Sequence, residues 1–270
     1  MKTKVVSIIL VIIFVIFIVF PLYWLLNTSL KTRLEIISET TLWPTNPILT
    51  NYYRPLFEDV YGMYIRNSFI IAITEAILCI VIGLPAAYAF SRIKFKGDNH
   101  LLFWLLTNRM APPAAFLIPY YVMYVSLKLF DTLQGLIIIN SIANLPFTIW
   151  LLKGFIDGIP KDIEEAAIVD GYNFWQMFSR IIIPVLKPAI FVSGLFVFAF
   201  TWNEMLFASL FTTSPRAMPL TGGLLHYLSQ TWVNWGEIAA LTLITMLPVL
   251  AVVFYLQKYL VRALTFGAVR

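Results

Sequence analysis

Ile159-Pro160-Lys161-Asp162-Ile163-Glu164-Glu165-Ala166-Ala167-Ile168-Val169-Asp170-Gly171, running on through Asn173 and Gln176 to Ile181 and Pro184, is a polar-rich stretch set between two long apolar runs. Pro160 suits the first position of a helix, and Asp162, Glu164 and Glu165 fall in its early turns, where carboxylates favour the positive end of the macrodipole. Gly171 can adopt the left-handed backbone that ends a helix, and Asn173 with Gln176 three residues on forms the pattern of a capping box that opens another. The stretch therefore reads as two short helices meeting at a glycine, an elbow. Ala166 and Ala167 are small enough to let one face approach a partner surface closely, while Ile163 and Ile168 supply apolar contact.

Outward from the elbow the chain is dominated by apolar runs. A bilayer core of about 30 Å needs roughly 20 apolar residues as helix, and six runs of that order lie near residues 5–26, 65–90, 101–127, 133–152, 181–210 and 238–260. The expected fold is an all-α membrane protein of six transmembrane helices, organised as a single membrane domain over residues 1–270, with the elbow loop, 153–184, between spans four and five. The first run follows Lys2 and Lys4 as a signal peptide would. It is too long for one and ends in Pro21, Tyr23 and Trp24 instead of a small-residue cleavage site, so it reads as a retained helix.

Composition agrees with a bilayer. Over 270 residues the chain is 60% hydrophobic and 12% charged, with a mean hydropathy of +0.83, more apolar surface than a soluble domain of this size can bury. The net charge of +5 could point to nucleic acid, but the basic residues are scattered at the ends of apolar runs and form no stripe interleaved with aromatics. Lys2, Lys4, Arg92, Lys94, Lys96, Lys153, Lys161, Arg180, Lys187, Lys258, Arg262 and Arg270 fall on one side of the six-span topology, against Lys31, Arg33, Arg54, Lys128 and Arg216 on the other. The positive-inside rule then places both termini and the elbow in the cytoplasm and the segments 27–64 and 211–237 outside. In the latter, Trp232 and Trp235 read as interfacial belt residues. The single Cys79 excludes a disulfide within the chain, and the two histidines, His100 and His226, are far apart, leaving no metal-ligand cluster.

The elbow also carries a resemblance. Glu165-Ala166-Ala167, three residues, Gly171, nine residues, Ile181, one residue, Ile183-Pro184 resembles the EAA loop of bacterial ATP-binding-cassette importer permeases, with Ile183 in place of the usual Leu. The similarity extends along the chain to the smaller permease partner of maltose-type sugar importers. It is carried by Pro21-Leu22-Tyr23-Trp24 with Ser29-Leu30-Lys31, Asn67-Ser68, Ala86-Ala87-Tyr88-Ala89-Phe90-Ser91-Arg92, Leu145-Pro146-Phe147 before Trp150, Trp202-Asn203-Glu204 and the tail Gly267-Ala268-Val269-Arg270. Position 263 is Ala where that branch has Gly, and the tail ends without its final Lys-Gly.

The resemblance implies a multi-pass permease of the bacterial inner membrane, importing a sugar or oligosaccharide. Its partners would be a dimer of ATP-binding-cassette nucleotide-binding subunits carrying the ATP and magnesium, a second permease, and an extracellular or periplasmic solute-binding protein approached by the loop around 219–235. Glu164, Glu165, Ala166, Ala167, Asp170 and Gly171 would dock onto the ATPase, with Glu165 meeting a basic partner residue. A permease for a polyol or a glycerol phosphate would share the same loop. An ion-coupled secondary transporter would explain six spans but not the elbow spacing. Among enzymes, an intramembrane catalyst finds no Ser/His/Asp set, metal cluster or Walker-type loop here.

Polar residues inside the apolar runs need compensation. Glu75 and Arg109 each cost about 2.5–3.5 kcal/mol at mid-bilayer on insertion scales. A mutual ion pair would compensate both; alternatively Arg109 lines the translocation path beside Met110, Pro112 and Pro113, or snorkels to an interface. Asn140, Asn144, Asn203 and Glu204, on spans four and five, are candidates for cavity or gate lining, since sugar hydroxyls need hydrogen-bonding side chains. Hydrogen bonding between helices is the competing role for each.

Overall fold

The computed structural model describes residues 2–38, 40–110, 112–228 and 233–266. Trp232 and the tail Gly267-Ala268-Val269-Arg270 lie outside the described residues. Five of the expected spans are continuous helices long and apolar enough to cross a membrane. They are α1 (Lys2–Ser29), α4 (Tyr61–Arg92), α7 (Leu133–Asp157), a composite helix made of α9 (Phe174–Met177), a π-helical turn (Phe178–Ile182) and α10 (Ile183–Trp202), and α13 (Trp235–Phe266). Shorter helices join them: α2 (Arg33–Ser38), α3 (Thr50–Tyr53), α8 (Asp162–Val169), α11 (Leu206–Phe211) and α12 (Leu220–Leu228).

The expected third span is bent. Helix α5 (Asp98–Met110) and the segment Pro113–Ser126, which contains α6 (Leu117–Ser126), meet at 91°. Pro112 and Pro113 lie at the break; neither has a backbone N–H to donate, and Pro112 is extended at φ −64°, ψ 119°. The fifth span also differs from expectation, beginning at Phe174 and ending at Trp202. The π-helical turn, in which the Ile183 N–H reaches back to the Phe178 carbonyl, carries the helix through to Pro184. The second arm of the elbow is thus the first turn of a span, not a separate short helix.

Helix α4 is central and packs most extensively against α7 and α10. Where α4 crosses α7, Gly83 leaves room for Thr148, whose Cγ2 would stand 3.1 Å from any added Cβ. A core of Leu84, Ala87, Tyr88, Ile149, Leu152, Ile156, Ile182 and Leu186 fills the end of this three-helix seam nearest the elbow. Helix α1 packs against α13, and its apolar side chains from Val6 to Phe20 point outward, as a helix bathed in lipid requires.

The end of α4 opposite the elbow is tied to the segment between α10 and α13. Asn67, fully buried, donates from Nδ2 to the carbonyls of Pro215 and Met218 at 3.0 Å each, and the Leu220 N–H donates to Ser68 Oγ at 2.8 Å. Tyr61 and Tyr227 pack edge to face beside them, and the Tyr227 hydroxyl donates to Glu237 Oε2 at 2.7 Å. Gly223 lies against the Tyr64 ring with no room for a Cβ, whereas Gly154, on α7, faces open space. Gly223→Ala should therefore lower the stability of the detergent-solubilised protein by about 1–3 kcal/mol, while Gly154→Ala should leave it unchanged or raise it by up to about 1 kcal/mol. Thermal unfolding of both variants in one detergent checks the contrast.

Candidate functional site

The elbow begins where α7 ends at Asp157. Helix α8 starts at Asp162, two residues after Pro160, so the proline precedes the helix and does not open it. Asp162, Glu164 and Glu165 occupy its first turn. It ends in a Schellman arrangement: the Tyr172 N–H donates to the Ala167 carbonyl and the Gly171 N–H to that of Ile168, both at 3.0 Å, with Gly171 at φ +85°. The following helix opens with the expected capping box. Asn173 Oδ1 accepts from the Gln176 N–H at 2.9 Å, and Gln176 Oε1 accepts from the Asn173 N–H at 3.0 Å.

One face of the elbow is held by the membrane helices. Glu164 is buried, and its carboxylate accepts from Arg92 Nε at 2.6 Å and from the Tyr88 hydroxyl at 2.7 Å. Arg92 Nη2 also donates to the Ile159 carbonyl at 2.8 Å, and Ser91 Oγ donates to Asp157 Oδ1 at 2.5 Å. Lys153 reaches the other oxygen of Asp157 at 2.7 Å. Ala167, Ile159, Met177 and Phe178 bury their side chains in the same core as Tyr88, whose ring meets Phe178 edge to face at 5.3 Å. Removing one partner of a buried ion pair leaves the other uncompensated, a loss of about 3–5 kcal/mol.

The opposite face is open. Ile163, Ile168, Val169, Phe174 and Trp175 are all exposed, Val169 at 86% and Trp175 at 72%. Asp162, Glu165, Ala166 and Asp170 are exposed among them. This is an apolar patch edged with carboxylates, a surface suited to a partner carrying apolar and basic groups. Of the six residues assigned to docking from the sequence, Glu165, Ala166, Asp170 and Gly171 face outward. Glu164 and Ala167 turn inward, and Ala167 is small because it packs against the chain's own core.

The membrane-embedded candidates separate into two groups. Asn140 and Asn144 are buried in the seam, and Glu75, without solvent exposure, accepts from Asn144 Nδ2 at 2.8 Å and from Thr201 Oγ1 at 2.6 Å. Of the alternatives for Glu75 and Arg109, the mutual ion pair does not form. Among the described residues the ion pairs are Arg54 with Glu237, Arg92 with Glu164 and Lys153 with Asp157, and the Arg109 guanidinium instead lies 4.8 Å from the Phe147 ring centre and 4.7 Å from that of Phe200. Asn203 donates to the Ala199 carbonyl at 2.8 Å. Glu204 accepts from the N–H groups of Phe207 and Ala208, capping α11, so it lies at the break after α10 and not within the span.

Tyr88, Arg92, Asp157 and Thr201 were not singled out as site residues from the sequence. Tyr88, Ser91 and Arg92, spaced three and four apart at the end of an apolar run, share one helix face, and that spacing was the available signal. Among the described residues no group of three or more His, Cys, Asp or Glu is arranged to hold a metal ion.

Comparison with known proteins places these features in context. Residues 79–266 match the family model described as binding-protein-dependent transport system inner membrane component. The chain is 36% identical to a Sinorhizobium fredii protein named as a probable ABC transporter permease, over 93% of this chain and 90% of that one. It is 31% identical to the diacetylchitobiose uptake system permease of Streptomyces coelicolor, over 93% and 91%. It is 30% identical to the trehalose transport system permease of Mycobacterium tuberculosis, over 93% and 92%. A crystal structure of a bacterial ABC transporter involved in the import of the acidic polysaccharide alginate contains a chain that superposes with a TM-score of 0.82 at 21% identity, covering 96% of both.

The elbow's local order depends on its caps. Asn173→Ala should cost the turn about 1 kcal/mol, which corresponds to roughly fivefold faster amide exchange at Gln176 and its neighbours. Hydrogen–deuterium exchange on the solubilised chain measures this, with the amides of α7 as the unchanged reference.

Proposed function

This chain belongs to the family of binding-protein-dependent transport system inner membrane components, the permease subunits of ATP-binding-cassette importers, and on that premise we propose that it imports a sugar or oligosaccharide by coupling closure of a separate ATPase dimer to movement of its own helices. The observation that carries this reading is the two-faced elbow: an exposed apolar and acidic surface on one side, a buried ion pair to α4 on the other. A surface that only connected two spans would need neither.

In this reading the elbow faces the cytoplasm together with both termini, as the distribution of Lys and Arg favours, and residues 1–270 form one membrane domain. The ATPase supplies the ATP and magnesium, and Glu165, Ala166, Asp170 and Gly171 meet its surface, with Ile163, Ile168, Val169 and Trp175 as the apolar contact. Because Ala167, Met177 and Phe178 share one core with α4, α7 and α10, displacement of the elbow acts on three spans together. A second permease completes the pore, and a solute-binding protein delivers the substrate on the far side. The carbohydrate assignment draws support from relatives named for diacetylchitobiose and trehalose transport. Among the described residues, Arg109, beside Phe147 and Phe200, and Asn203 are exposed and can offer hydrogen bonds to a hydroxyl-rich solute.

Co-purification from the native membrane tests the docking surface. Wild-type chain should recover an ATPase and a second permease, identified by mass spectrometry, and Glu165→Lys and Gly171→Pro should recover the permease while losing most of the ATPase. Equal ATPase recovery in all three would refute the assignment. Depletion of the chain should abolish uptake of a radiolabelled disaccharide from a panel containing trehalose and diacetylchitobiose; loss of glycerol phosphate uptake alone would move the substrate to that class.

A further inference from the structure

We propose that helix α4 is the transmission rod of this transporter, clamped to the elbow through Glu164 at one end and to the 211–228 segment through Asn67 and Ser68 at the other. The inference rests on the elbow being the ATPase dock and adds how its displacement reaches the opposite side of the membrane.

Three observations carry it. First, among the described residues the side-chain hydrogen bonds of α8 all go to α4: Glu164 receives both Arg92 and Tyr88. Ala167 of α8 also packs in the core shared with α7 and the fifth span, but α4 holds α8 by hydrogen bonds to a carboxylate withdrawn from solvent. Second, Asn67 and Ser68 bind the backbone of Pro215, Met218 and Leu220. These contacts fix main chain, so the segment follows α4 whatever its own side chains do. Third, α4 is one helix from Tyr61 to Arg92, and Asn67 and Arg92 are separated along it by about 37 Å at the rise of an α-helix. Pro85 removes one N–H from its ladder, but Leu84 and Ala87 on either side are packed into the core with Ile149 and Leu152, which holds the helix on course.

Asp131, two residues before α7, also receives the N–H groups of Thr213 and Ser214, each at 2.9 Å. It ties the segment to the start of α7, beside the bonds of Thr221 to the Glu204 carbonyl and of Tyr227 to Glu237, so a shift of α4 relative to these anchors would displace or distort the segment. Coupling between distant sites needs an element that both ends bias, and α4 with its two clamps is such an element.

The test uses the assembled complex with its native ATPase, second permease and binding protein. Thr213→Cys, exposed at the far end, is labelled with a membrane-impermeant maleimide, with and without ATP and vanadate; Cys79 is buried and stays in place. In the otherwise wild-type complex, nucleotide should change the labelling rate. Arg92→Glu and Glu164→Arg should each reduce that change at least about fivefold, the lower range of an ordinary coupling between sites, while the ATPase still co-purifies. The double exchange Arg92→Glu with Glu164→Arg should restore much of the response, and Asn67→Ala should abolish it with the elbow untouched. An unaltered response in the single variants, or none in the parent complex, would overturn the proposal. Loss of the ATPase from both single variants without recovery in the double exchange would also overturn it, making Glu164 a determinant of docking. Absence of the ATPase from the parent complex would instead refute the dock itself.

Discussion

The buried contact of Arg92 and Tyr88 with Glu164 is the constraint on which the elbow depends. Helix α8 has eight residues, and isolated helices shorter than about 12–15 residues are marginal in water, so its order must come from tertiary attachment. A buried ion pair is weak evidence of net stability, because desolvation offsets much of the attraction. Its consequence here is geometric. Glu164 and Ala167, three residues apart, fix which face of α8 turns toward the membrane helices, and the rotation leaves Glu165, Ala166, Ile168 and Val169 outside. The same guanidinium holds the Ile159 carbonyl, and neighbouring Ser91 holds Asp157, so both the approach to α8 and α8 itself are referenced to the end of α4.

Within the membrane the same economy of polar groups applies. Lipid offers no hydrogen bonds, so a polar side chain there either finds a protein partner or reaches an interface. Glu75 finds Asn144 and Thr201, which joins α4, α7 and α10 at one point. Arg109 is accommodated by two aromatic faces from α7 and α10. The charge on Arg109 is therefore not needed to satisfy the carboxyl of Glu75, and the two intramembrane groups serve separate roles.

Much of this was legible in the sequence, and the exceptions have physical causes. The apolar runs identified the membrane helices because their length is set by bilayer thickness. Gly171 and the pair Asn173 and Gln176 identified the elbow because caps and left-handed turns act locally. The bend at Pro112 and Pro113 was missed because hydropathy counts apolar length and does not register two missing N–H groups. The late end predicted for the fifth span has the same origin: Leu206, Phe207 and Leu210 prolong the apolar run after the helix has broken at Asn203. The inward turn of Glu164 could not be read from the elbow alone, since its partners lie more than seventy residues away on α4. The division of labour between Glu164 and Glu165, adjacent and chemically alike, is a tertiary property.

The most direct measurement of the two-faced elbow is site-specific photo-crosslinking in the native membrane, with a photoreactive amino acid at Val169 and, as a control, at Val122, exposed at 63% on α6. Val169 should yield an adduct with an ATP-binding-cassette ATPase and Val122 should not. An elbow that gives no ATPase adduct from Val169, in cells where the second permease and the ATPase are present, would contradict the account.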